Sequence, residues 1–143
     1  MYAFNELVRA RQEEVSGRFC IGLDPDAMRI PDCIKGPSAG IRAAIHMMRI
    51  VDAGAQYAAA FKPQRAHWEA LPDGIAGLRI LIAYIHTVYP FIPVFLDCKR
   101  GDIDRTQAMY AFAHLVLDEA DGMNFNPYMG SDCLMQLANT WGL

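Results

Sequence analysis

Four short apolar runs, at Phe19–Leu23, Tyr57–Phe61, Pro93–Asp97 and Gly122–Asn126, alternate along the chain with longer segments of helical periodicity. Runs that are apolar on both faces and separated by helix-length segments read as parallel strands joined by right-handed crossovers, because only a sheet covered on both sides buries both faces of a strand. The first helix, with Phe4, Leu7, Val8 and Arg11 on one side, precedes the first strand and closes at Gly17. A second follows Ser38, a candidate N-cap, with Ile41, Ile45, Met48 and Val51 on one face and Gly54 at its end. The pattern predicts further helices over Gly74–Tyr89, from about Asp104 to Glu119, and from about Ser131. The expected organisation is a single domain over 1–143, a leading helix followed by four strand-helix units.

Every chemically interesting cluster lies just past the C-terminal end of a strand. Asp24 and Asp26 follow the first strand, Lys62 and Gln64 the second, Asp97, Lys99 and Asp102 the third, Asn126 and Tyr128 the fourth. That edge is where α/β folds build their sites. An open doubly wound sheet and a (β/α)8 barrel both fit this pattern. A nucleotide-binding open sheet normally has a glycine-rich first turn, whereas the first turn here is Asp24-Pro25-Asp26. The barrel is therefore the expected fold. Barrels of this type need about 250 residues, so a chain of 143 residues supplies about half of one. The expectation is the N-terminal half of a TIM barrel, a fragment with two open parallel edges.

Asp97 and Lys99 are two apart on a strand and project to the same side, with Asp102 arriving from the turn. Gathering two carboxylates around one ammonium costs desolvation and repulsion that the ammonium only partly offsets. The competing reading of the triad alone is a solvated ion-pair cluster at a strand end. Lys62, taken alone, reads as a surface lysine, but it sits directly after a buried strand and before Pro63. The net charge of -3 and the lack of a basic stripe exclude a nucleic-acid surface and favour a small-molecule partner. Cys20, Cys33, Cys98 and Cys133 show neither CxxC nor zinc spacing, which fits free thiols in the cytoplasm. His46, His67, His86 and His114 lack ligand spacing and read as ordinary surface or core histidines. No targeting segment opens the chain, and the apolar stretch Leu78–Leu96 is broken by Arg79, His86, Pro90 and Pro93, so no membrane span is expected.

Gly22-Leu23-Asp24-Pro25-Asp26, Phe61-Lys62-Pro63-Gln64, Asp97-Cys98-Lys99-Arg100-Gly101-Asp102-Ile103 and Asn126-Pro127-Tyr128-Met129-Gly130, in this order and spacing, resemble orotidine 5'-phosphate decarboxylase, in its longer bacterial subfamily. The resemblance runs from the leading helix to the fourth strand. It implies conversion of orotidine 5'-phosphate to UMP in pyrimidine biosynthesis, without metal or organic cofactor. Lys99 would stabilise the carbanion at C6 and then protonate it, with Asp97 beside the departing carboxylate. Lys62 would hold Asp97 and the ribose, and Asp24 would hydrogen-bond the ribose. Asp102, Ile103 and Thr106 would reach a neighbouring subunit's site in a homodimer, while Asn126 is a weaker substrate-binding candidate, since its turn also has a geometric reason to exist. The family's phosphate-gripping and pyrimidine-edge groups belong to four further strands, so 143 residues alone are expected to be inactive or very weak. The alternatives are a non-catalytic half-barrel or association module, and a metal-dependent phosphosugar lyase that uses the same DxKxxD groups.

Overall fold

A computed structural model of the chain describes residues 4–131 and 133–135. Helix α1 (Phe4–Glu14) leads into strand β1 (Phe19–Gly22), then α2 (Ala39–Gly54), β2 (Ala58–Lys62), the short α3 (Arg65–Glu69), α4 (Gly74–Val88), β3 (Phe95–Arg100), α5 (Asp104–Ala111) and β4 (Gly122–Phe125). Residues 112–117 continue α5 as a π-helical turn, and Pro127–Met129 form a 3-10 turn after β4. Residues 133–135 are helical, and the rest of the helix expected from Ser131 lies outside the described residues.

β1 pairs with β2 and β3 with β4, both in parallel. Two parallel bridges, Phe61 with Val94 and Gln64 with Asp97, join β2 to β3. They rest on Phe61 N–H donating to Pro93 O (3.0 Å) and Asp97 N–H donating to Pro63 O (2.9 Å). The spatial order is therefore β1-β2-β3-β4, each strand beside its sequence neighbour, as in the first four units of a (β/α)8 barrel. Among the described residues β1 and β4 each have a strand on one side only, and Phe19 at the start of β1 is 69% exposed.

The core lies between the strands and the helix layer: Leu23, Phe61, Leu78, Leu81, Ile82, Ile85, Val94 and Leu96 are fully buried, each contributing about 1.5–3 kcal/mol of transfer free energy. Ser38 caps α2 as expected, its hydroxyl accepting from Ile41 N–H at 3.3 Å. The buried stripe of α2 differs from the expected one. It is Gly40, Ala43, Ala44, Met47 and Val51, while Ile41, Ile45 and Met48 are only half-buried. The cause is close helix packing: a Cβ on Gly77 of α4 would stand 2.2 Å from Gly40 O, and one on Gly40 would stand 2.3 Å from Asp73 O. Small residues win that interface because larger side chains would hold the backbones apart. At the opposite end of the strands, buried Arg11 of α1 donates from Nε to Ala58 O (3.0 Å) and from Nη2 to Ala55 O (2.5 Å), which pins the leading helix to the entry of β2.

The sequence pattern gave no sign of α3. Gln64 caps it, its side-chain oxygen accepting from Ala66 N–H at 2.5 Å. Trp68 fills the space beneath, fully buried, with its indole N–H donating to Leu23 O at 3.1 Å. Arg65 of the same turn enters a buried polar network. It pairs with Asp118, which has no exposed side-chain surface and also accepts from Arg79 Nε at 2.8 Å. His114 joins the same network, with Arg100 Nε 3.4 Å from its Nε2 and both Arg65 Nη1 and Asp118 Oδ2 3.0 Å from its Nδ1. Glu69 bridges Arg65 and Arg100. His114 is thus a core histidine with a full set of partners.

Burial alone would raise the Asp118 carboxyl, but His114, Arg79 and Arg65 together hold it below the ordinary carboxylate value. A depressed native pKa adds stability that is present above the unfolded value of about 4 and is lost as pH falls through the native one. Asp118→Asn should destabilise the protein by about 3–5 kcal/mol at pH 7, since it leaves Arg65 buried without its main counter-charge. Urea unfolding should show that gap narrowing below about pH 4. A substitution within 0.5 kcal/mol of wild type at pH 7 would contradict this reading of the network.

Candidate active site

Lys62, Asp97 and Lys99 meet at the C-terminal edge of the strands. Asp97 is 9% exposed, and its two carboxylate oxygens face two different ammonium groups. Lys99 Nζ donates to Oδ1 at 2.5 Å and Lys62 Nζ to Oδ2 at 3.4 Å. A third donor, Asn124 Nδ2 from β4, reaches Oδ1 at 2.6 Å. Desolvation would raise the Asp97 carboxyl, yet the bonds from Lys99, Asn124 and Lys62 outweigh it and hold the group below its ordinary value. Asp97 is therefore ionised at neutral pH, a buried carboxylate bound by two cations from adjacent strands.

Lys99 holds this anchor through Nζ while its side chain remains 64% exposed. Its backbone has φ 49, in the left-handed region that a lysine enters only at a cost of about 1 kcal/mol. Asp97 and Lys99 share a side as the sequence predicts, but the strand is not a regular pleat between them: the register with β4 shifts between Leu96 and Arg100. Gly101 lets the following turn approach β4, since a Cβ there would stand 2.8 Å from Asn126 O.

The remaining predicted residues sit at the same edge without joining this cluster. Asp24 accepts from Gln64 N–H at 3.0 Å, which links the β1 loop to the end of β2. Asp102 Oδ1 accepts from Ile103 N–H at 2.8 Å, and its backbone N–H donates to Gln107 Oε1 at 3.2 Å. Among the described residues Asp97 is the one carboxylate bonded to Lys99, so the expected pair of acids around one ammonium is not formed by Asp102 of the same chain. Ile103 is 54% exposed and Thr106 is exposed on the first turn of α5, both turned to solvent. Asn126 Oδ1 caps the 3-10 turn by accepting from Tyr128 N–H at 3.1 Å, the geometric role that its turn suggested.

Sequence reasoning missed Asn124 and Gln107. Gln107 is fully buried, holds the Asp102 turn through Oε1, and has an Nε2 without a hydrogen-bond partner among the described residues. The only signal was a polar residue inside an apolar period, which the helix and strand patterns absorbed.

The profile of the orotidine 5'-phosphate decarboxylase / HUMPS family matches residues 17–141. The chain belongs to this family. An orotidine 5'-phosphate decarboxylase of Ralstonia pickettii is 40% identical over 131 residues, which is 92% of this chain and 47% of that protein. The structure of Leishmania donovani UMP synthase superposes with a TM-score of 0.81 at 31% identity, covering 97% of this chain and 28% of that one. Leishmania donovani OMP decarboxylase gives a TM-score of 0.79 at 33% identity, over 96% of this chain and 50% of the other. The chain spans about half the length of the curated relatives it matches, and the four βα units are half of the decarboxylase barrel.

The close approach of the β3 and β4 turns leaves no room for a side chain at Gly101. Gly101→Ala should cost about 1–3 kcal/mol of stability, because the added methyl must push against the Asn126 backbone. Denaturant unfolding with no change in midpoint would show that the two turns can separate freely.

Proposed function

We propose that this chain provides the lysine-bearing half of an orotidine 5'-phosphate decarboxylase site, converting orotidine 5'-phosphate to UMP and CO2 in pyrimidine biosynthesis without a cofactor. The observation that carries the reading is Asp97, buried and ionised, with Lys99 bonded to one oxygen and Lys62 to the other. When the bond from C6 to the carboxylate breaks, its electron pair stays on C6, and a fixed cation is needed there. Lys99 supplies it: the Asp97 carboxylate accepts from Nζ and fixes the ammonium on one side. Lys99 then gives its proton to C6 and completes UMP. Asp97 lies next to the departing carboxylate, Lys62 holds Asp97 and the ribose, and Asp24 accepts from the ribose hydroxyls.

The dimeric part of the proposal is supported by what faces outward. Ile103 and Thr106 are exposed, and half-buried Asp102 turns its carboxylate to the Ile103 amide rather than to Lys99 of its own chain. Met109, Phe112 and Val116, spaced three and four apart, are 62%, 43% and 44% exposed along the same helical stretch. A homodimer that shares active sites would cover this face and bring Asp102 to the partner's Lys99. No described helix is long and apolar enough to cross a membrane, and a cytoplasmic setting with a free nucleotide substrate completes the reading.

The chain expressed in its complete reading frame should consume orotidine 5'-phosphate and form UMP, followed by absorbance. Lys99→Ala should lower kcat by at least about 10^3-fold with the fold intact by circular dichroism. Near-normal turnover in that variant, or no turnover in the wild type, would sink the assignment; consumption of a pentulose or hexulose phosphate upon adding magnesium would favour the metal-dependent lyase. For the shared site, mixing Asp102→Ala with Lys99→Ala chains should restore part of the activity, because one of the two sites in each heterodimer then holds both native groups. Verified heterodimers with no recovery would remove Asp102 from the partner's site.

A further inference from the structure

We infer that Asn124 is the positioning residue of this site: its side chain clamps the irregular end of β3 and thereby sets where Lys99 and Asp97 point. The inference rests on the decarboxylase reading for its catalytic consequence, and on local geometry for the clamp itself.

Between the paired positions Leu96 with Met123 and Arg100 with Phe125, strand β3 carries Asp97, Cys98 and Lys99 where β4 carries Asn124 alone. Three residues facing one cannot be matched by ladder hydrogen bonds, and the extra backbone donors need another partner. Asn124 provides it. Its Oδ1 accepts from Cys98 N–H at 2.9 Å and from Lys99 N–H at 2.7 Å. Its backbone oxygen accepts from Cys98 Sγ at 3.2 Å. Two backbone donors on one side-chain atom identify that atom as the oxygen, which turns Nδ2 toward Asp97 Oδ1, 2.6 Å away. One neutral amide thus holds all three bulged residues.

The clamp explains the left-handed φ of Lys99. A non-glycine residue persists there only when its surroundings over-determine it, and the bond from its own N–H to Asn124 is such a constraint. The resulting turn brings Nζ of Lys99 back to the carboxylate two residues earlier. A carboxamide fits the position because it offers an acceptor and a donor at once and carries no charge to compete with Lys62 or Lys99 for Asp97.

Two variants separate the two ends of the amide, both in the complete reading frame. Asn124→Asp retains an oxygen for the Cys98 and Lys99 amides but replaces the donor to Asp97 with a second carboxylate. Asn124→Ala removes both. In Asn124→Ala, hydrogen exchange at the Cys98 and Lys99 amides should accelerate at least about tenfold while Leu96 is unchanged, and kcat should fall at least about tenfold with KM within about threefold. Asn124→Asp should keep the amide protection and still lose kcat. Wild-type exchange at both amides in Asn124→Ala, or kcat unchanged in both variants, would overturn the inference. Were Asn124→Ala to unfold, Asn124→Asp decides: fast exchange at Lys99 in that variant counts against the clamp. A wild type without decarboxylase activity would refute the functional reading, while the exchange measurement would still decide the clamp.

Discussion

The carboxylate of Asp97 is the group around which the rest of the structure is arranged. It sits at 9% exposure on the third strand and is bonded by Lys62 from the second strand, Lys99 from its own, and Asn124 from the fourth. A buried carboxylate without partners would take up a proton; with two ammoniums and an amide it stays charged and becomes a fixed anchor. Three parallel strands must end at one level for those donors to converge. The Phe61 and Gln64 bridges between β2 and β3 and the β3 pairing with β4 provide that alignment.

Behind the strand ends, packing holds the alignment. The glycines of α2 and α4 bring two helices to near backbone contact, and Trp68 closes the gap under the β1 loop. The network of Arg65, Asp118, His114, Glu69 and Arg100 ties α3, the end of β3 and the helix after it into one unit. Arg100 is the residue next to Lys99, so the polar network and the site meet at a single peptide. That arrangement gives the short helix and the buried histidine a structural role.

Much of this was legible in the chain because its signals are local. Strand-length apolar runs followed by charged residues located all four strands to within a few residues, and Asp24, Lys62, Asp97 and Lys99 were placed at the correct edge. The missing pieces are long-range. Arg65 and Asp118 are 53 residues apart, and no period connects them. The stripe of α2 was misjudged because isoleucine and methionine outweigh glycine and alanine in any hydrophobic pattern, whereas close packing reverses that order. Asn124 lies in the fourth strand as the pattern predicts, but its bonds to Cys98, Lys99 and Asp97 leave no trace in the sequence, because a bulge shows only when the partner strand is in place. Asp102 adds a different lesson. Its sequence spacing suggests a contact with Lys99, but within one chain its carboxylate turns back to the Ile103 amide.

The central claim is that Asp97 is a charged anchor held by two lysines and an amide. The most direct measurement is the titration of the Asp97 carboxyl carbon by NMR. A midpoint below the ordinary aspartate value of about 3.9, shifting upward when Lys62 or Lys99 is replaced by methionine, is the predicted result. A midpoint at or above that value, unmoved by either replacement, would contradict the account.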